Sequence, residues 1–128
     1  MRVLLDTHAF FWWVNDSPKL SHRARNAIAS EPNDVLISAV VAWELATKAR
    51  FGKWPEAFDL ATDIDAVLLA NAFTPLSIKL EHARVAGFLP GPHRDPFDRM
   101  LAAQAQIENV PLVTADPVFR MFGTRVLW

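Results

Sequence analysis

Val3-Leu4-Leu5-Asp6 and Leu112-Val113-Thr114-Ala115-Asp116 are short apolar runs that each lead into an aspartate. Between them, Val35-Leu36-Ile37-Ser38 repeats the pattern with a serine at its end. An apolar run without alternation suits a strand buried on both faces, which is the environment inside a parallel sheet. Helical stretches separate these runs. His8 to Val14 is a very apolar helix, Ser21 to Ser30 a second, and Ala39 to Arg50 a third with Gly52 at its end. Asp59 to Asn71 follows, with apolar residues at Leu60, Ile64, Val67 and Leu68. Ser17 and Ser77 read as helix caps, the latter opening a helix to Ala86 that Gly87 closes. Asp95-Pro96 opens a strong helix to Asn109, and Asp116-Pro117 a short one. Thr74-Pro75-Leu76 and Arg125 to Trp128 supply further strands. Strand and helix in alternation predict an α/β domain with helices on both faces of a parallel sheet.

The chain has 128 residues, which suits one domain spanning 1–128, and 52% of them are hydrophobic. It has no cysteine, so disulfides, thiolate nucleophiles and sulfur-ligated metals are excluded. No apolar run is long enough to cross a bilayer, and the first residues lack the apolar core of a signal peptide. A cytoplasmic location is expected. The formal net charge of −1 gives no basic footprint for nucleic acid. Bound cations can nevertheless reverse the sign of an acidic pocket.

The acids decide the chemistry. Asp6 follows the first strand, Glu44 lies one helical turn beyond the second, and Asp116 follows Thr114 and Ala115. Asp98 sits in the first turn of the helix that precedes that last strand. Ligand sites in open parallel sheets lie beyond the carboxyl ends of the strands, where these acids fall. Each has a plainer reading. Asp6 and Asp116 could cap helices, Glu44 could be a solvated helix acid, and Asp98 could answer a helix dipole. Separate caps have no reason to meet on one rim of a sheet, so their conjunction predicts a pocket. Clustered carboxylates repel and need cations or protons. Oxygen-only donors suit Mg²⁺ or Mn²⁺, and such a site hydrolyses phosphodiesters.

Leu4-Leu5-Asp6-Thr7, Ser38-Ala39 to Glu44-Leu45, Asp98 to Ala105, and Leu112 to Asp116 resemble, in order, the four signature blocks of PIN domains. The resemblance covers essentially the whole chain. It is nearest to the VapC-type toxins of bacterial type II toxin–antitoxin pairs, one subgroup of which is suggested by Asp6-Thr7-His8 with Trp12 and by His93 to Arg99. It implies a three-layer α/β/α sandwich around a parallel sheet of four or five strands. It implies an endoribonuclease dependent on Mg²⁺ or Mn²⁺, with catalytic acids at Asp6, Glu44, Asp98 and Asp116 holding metal that activates water. Asp6 and Asp98 are expected as direct ligands, with Glu44 and Asp116 holding metal-bound water or a second ion. Thr114 matches the family's polar residue beside the metal, and Thr7 and Ser38 are weaker candidates. Asp95, read as an N-cap, competes with Asp98 for the third position; Asp98 fits the following helix and the spacing to Asp116 better. Many members carry Asn or Asp where this chain has His8, whose role stays open.

Arg94 and Arg99 could contact RNA phosphate or balance the carboxylates, or form internal ion pairs. Lys48, Arg50 and Lys53 read first as a solvated helix end. Phe10-Phe11-Trp12-Trp13-Val14 is too continuous for one helix face to bury, so part of it must meet something else. The resemblance implies a homodimer and a cognate antitoxin, besides the RNA substrate. Other readings are a solitary nuclease with a different RNA or DNA target, and an inactive α/β binding module. A phospho-acceptor signalling domain is disfavoured because it needs a late lysine, and none lies beyond Lys79.

Overall fold

In a computed structural model describing residues 1–128, β1 (Arg2–Leu5) forms the middle of a five-stranded parallel sheet. On one side lie β2 (Asp34–Ser38) and then β3 (Thr74–Leu76); on the other lie β4 (Leu112–Val113) and then β5 (Val126–Leu127). The sheet order is β3-β2-β1-β4-β5. Leu4 is paired on both flanks, with Leu36 of β2 and Leu112 of β4. This explains the absence of alternation in Val3-Leu4-Leu5, since all three residues have no exposed surface.

Eight α-helices flank the sheet and complete the α/β/α sandwich: α1 (Thr7–Val14), α2 (His22–Ala29), α3 (Ala39–Arg50), α4 (Phe58–Thr62), α5 (Ile64–Asn71), α6 (Leu80–Phe88), α7 (Pro96–Ile107) and α8 (Val118–Met121). A 3-10 turn at Pro55–Ala57 precedes α4. Asp6 caps α1, Ser38 caps α3 and Asp95 caps α7, each side chain accepting backbone N–H groups of the first turn. No helix is long and apolar enough to cross a membrane.

Several boundaries differ from the sequence reading. Ser17 caps no helix; its Oγ accepts from Lys19 N within a turn, and Ser21 caps α2 through Ala24 N. The expected helix from Asp59 to Asn71 is broken at Asp63, whose φ of −100° and ψ of 14° leave the helical range. Ser77 is not the cap of α6 either. There the Nδ1 of His82, a fully buried residue, accepts from Lys79 N at 3.1 Å. Gly87 lies inside α6, which ends at Phe88 because Leu89 precedes a proline and is held extended.

The end of β1 remote from Asp6 is tied down by polar contacts. His82 Nε2 meets Glu108 Oε2 at 3.1 Å, and Arg2 donates to Glu108 Oε1 at 3.1 Å. This joins α6, the end of α7 and the first residue of β1. The carboxyl end of β1 is thereby left as the open rim of the sheet, at the point where successive connections leave in opposite directions.

Candidate active site

Asp6 is placed by two demands at once. It ends β1 and caps α1, so its Oδ1 accepts from Ala9 N at 2.7 Å. Its Oδ2 accepts from Thr114 Oγ1 at 2.5 Å, and that hydroxyl accepts in turn from Asp116 N at 3.0 Å. The carboxyl ends of β1 and β4 are thus joined side chain to side chain. Burial pushes the Asp6 carboxyl up to about 7; the bonds from Thr114 and Ala9 oppose this, while the charges of Asp98 and Glu44 add to it.

Glu44 projects from the second turn of α3 and is also buried. Its Oε1 accepts from Thr7 Oγ1 at 2.5 Å, and its Oε2 is paired with the Lys48 ammonium one turn along. Asp98 lies in the first turn of α7, with Oδ2 2.9 Å from His93 Nε2. Burial pushes the Asp98 carboxyl up to about 6 against that bond, helped by the charges of Asp95, Glu44 and Asp116. Asp116 is exposed, and its Oδ1 accepts from Val118 N.

These four acids share one cavity of about 370 Å³ with Thr7, His8, Trp12, Lys48 and Asp95. The convergence expected from the strand ends is therefore present. Five carboxylates face one ammonium, and three of the carboxylate oxygens accept no protein hydrogen bond: Asp98 Oδ1, Asp116 Oδ2 and Asp95 Oδ2. Free hard oxygen donors beside acids that resist ionising fit a divalent cation such as Mg²⁺ or Mn²⁺. Asp95 uses its Oδ1 to cap α7 through Phe97 N and Asp98 N, as expected of it, yet it also lines the cavity. The ligand atoms of His93, Asp95 and Asp98 lie within 4.8 Å of one another.

Not every expected residue joins the site. Arg99 points elsewhere: its guanidinium donates to the carbonyls of Ala86 (2.9 Å), His93 (2.9 Å), Gly87 (3.2 Å) and Leu89. A fork committed to four carbonyls neither balances the carboxylates nor reaches for phosphate, so its role is to hold the turn from α6 to α7. Arg99→Ala is expected to cost about 2–4 kcal/mol, because several charge-assisted bonds go together; chemical denaturation and proteolysis near Gly91 would measure it. Arg94 is exposed on that same turn, outside the acidic cavity. Ser38 caps α3 through Val40 N and hydrogen-bonds to none of the acids.

Two residues escaped the sequence reading. Lys48 was assigned to a solvated helix end, but its ammonium is the cavity's one lysine or arginine charge; the Glu44–Lys48 spacing of four carried the signal. The contact of His93 with Asp98 had no such signature. Lys48→Met is expected to cost about 1–3 kcal/mol in chelator, since it leaves the buried Glu44 with only the Thr7 hydroxyl as partner. Denaturant titration with and without Mn²⁺ would measure that, and equal losses in both would show that Lys48 does not balance the acids.

A model of the PIN domain family matches residues 3–123. The chain belongs to that family. This PIN domain is 36% identical over 118 residues to ribonuclease VapC22 of Mycobacterium tuberculosis (strain ATCC 25618 / H37Rv), covering 89% of this chain and 86% of the relative. Two solved structures share its fold. VapBC2 from Rickettsia felis, bound to a DNA fragment from their promoter, superposes with a TM-score of 0.71 at 20% identity, over 98% of this chain and 96% of the other. VapC20 of Mycobacterium tuberculosis, described as a sarcin–ricin loop cleaving toxin, gives 0.67 at 17% identity over 95% of each.

Proposed function

We propose that residues 1–128 of this PIN domain work as one unit, a divalent-metal-dependent endoribonuclease that serves as the toxin of a toxin–antitoxin pair. The observation that carries this reading is the meeting of Asp6, Glu44, Asp98 and Asp116 in one cavity, in a chain 36% identical to a named ribonuclease. Asp98 and Asp116 have free oxygens to offer Mg²⁺ or Mn²⁺, and Asp6 lines the same cavity. Bound there, the cation supplies Lewis-acid activation of water and offsets charge on the phosphodiester. Thr114 holds Asp6 toward the cavity, as Thr7 and Lys48 hold Glu44. Glu44, already paired with the Lys48 ammonium, orients rather than binds first, whereas Asp6 has no cation beside it. Arg94 lies near enough along the chain to Asp95 to meet the RNA backbone from the rim.

The partners follow from the same reading: an RNA substrate, a cognate antitoxin, a second copy of this chain, and work in the cytoplasm. A structural neighbour from Klebsiella pneumoniae was solved as a toxin–antitoxin complex. Leu69, Leu80, Phe88 and Met121 are exposed apolar side chains that a protein partner would cover. The test is a cleavage panel of single-stranded RNA, folded RNA and DNA with Mg²⁺, Mn²⁺ or chelator. RNA cut only with metal supports the reading; DNA cut in preference, or no cutting, ends it. Relief of growth arrest by a short adjacent gene would test the toxin role.

A further inference from the structure

We propose that His8 and Trp12 form a platform for one nucleobase at the mouth of the acidic cavity. The inference deepens the ribonuclease reading and rests on it. Asp6 caps α1, so His8 falls two residues beyond the acid and Trp12 one turn further on the same face. Both rings line the cavity that holds the four acids. Phe10, on the opposite face of α1, has no exposed surface, whereas His8 is exposed and Trp12 half-buried.

The rings are fixed from behind. His8 lies on the Trp54 indole, with centroids 4.8 Å apart and planes at 18°. Phe11 braces Trp54 at 4.7 Å, and Trp128 braces Trp12 at 5.8 Å. Trp12 leans toward His8 at 5.5 Å and 53°, so the two rings bound an angular cleft. Trp54 covers one face of the imidazole, yet His8 remains exposed and lines the cavity with the acids. A rigid, half-open aromatic wall beside a phosphodiester site suits a flat base on the adjacent nucleotide, because every base has a face that stacks. This also accounts for the run Phe10 to Val14: one part fills the core and another serves the cavity.

The test uses a single-stranded RNA that the wild type cuts, remade with one abasic nucleotide at each position in turn. Cleavage (kcat/KM) in Mn²⁺ is measured with His8 and Trp12 intact, and in His8→Ala, Trp12→Ala and His8→Phe; equilibrium binding is measured separately for the same set in an Asp6→Asn background, which does not cut the probe. An abasic site at one position beside the cut is expected to cost about tenfold with His8 and Trp12 intact, the loss of one stacked base. That penalty should shrink below about twofold in His8→Ala and Trp12→Ala, and persist in His8→Phe. His8→Ala removes an exposed ring and keeps the test sound if Trp12→Ala, which packs on Trp128, melts. A penalty of equal size in all proteins, or none at any position, overturns the proposal. So does a uniform loss on every RNA, the mark of altered packing or of a protein-docking face. Should no RNA be cut, the ribonuclease reading falls, and the binding titrations alone decide the platform by the same criteria.

Discussion

Asp6→Asn is expected to remove RNA cleavage, by about a thousandfold or more, and to make the metal-free protein more stable at pH 8. The two effects share one cause. Asp6 is buried between β1 and β4, and its carboxyl is pushed up to about 7 from an ordinary 3.8. Holding it ionised at pH 8 therefore costs about 4 kcal/mol in the absence of a cation. Asparagine keeps the shape, still accepts from Ala9 N, and can donate to the Thr114 hydroxyl once that group rotates. It relieves the buried charge and forfeits the ligand. The melting temperature in chelator should rise by at least about 5 °C, while RNA cleavage in Mn²⁺ disappears. A variant that cleaves normally would remove Asp6 from the chemistry. One that melts lower in chelator would show that its carboxylate is stabilised by the fold rather than strained by it.

The metal-free protein is also expected to lose stability as pH rises from 5 to 8, by about 4 kcal/mol, and to regain it with divalent cation. Asp6 and Asp98 hold their protons more tightly in the folded state, titrating at about 7 and about 6 against 3.8 when unfolded. A group raised in this way stabilises the fold fully below its unfolded value, and the benefit is lost as pH climbs through the folded one. The loss therefore falls in the window up to about pH 7 and levels off above it. Mn²⁺ should have little effect on melting at pH 5 and a large one at pH 8, because the ionised carboxylates then have their cation. Asp6→Asn should flatten the upper part of the profile. A stability that rises toward pH 8 in chelator would mean that the cluster is already balanced without metal.

The parts of this architecture that were legible in the sequence are those governed by local rules. A buried central strand cannot alternate, so Val3-Leu4-Leu5 was readable as one; Asp95-Pro96 has the chemistry of a helix start and is one. The convergence of the acids was readable because strand ends and the helix before the last strand must share a rim. Tertiary decisions were not readable. Whether Arg99 faces RNA or four carbonyls depends on how the turn from α6 to α7 folds back, and no spacing encodes that. The break at Asp63 has no proline or glycine to announce it. Lys48 was visible as an i+4 partner of Glu44, but its burial beside the cavity was not.

The bond between Thr114 and Asp6 joins residues 108 apart in the chain, and β1 finds its second neighbour only when β4 arrives. A growing polypeptide that has emerged only as far as α7 already carries Asp6, Glu44 and Asp98, but lacks the Thr114 hydroxyl and Asp116. The acidic cavity is therefore incomplete until β4 has been made and has paired with β1. Strand order thereby postpones assembly of the cavity without any inhibitor.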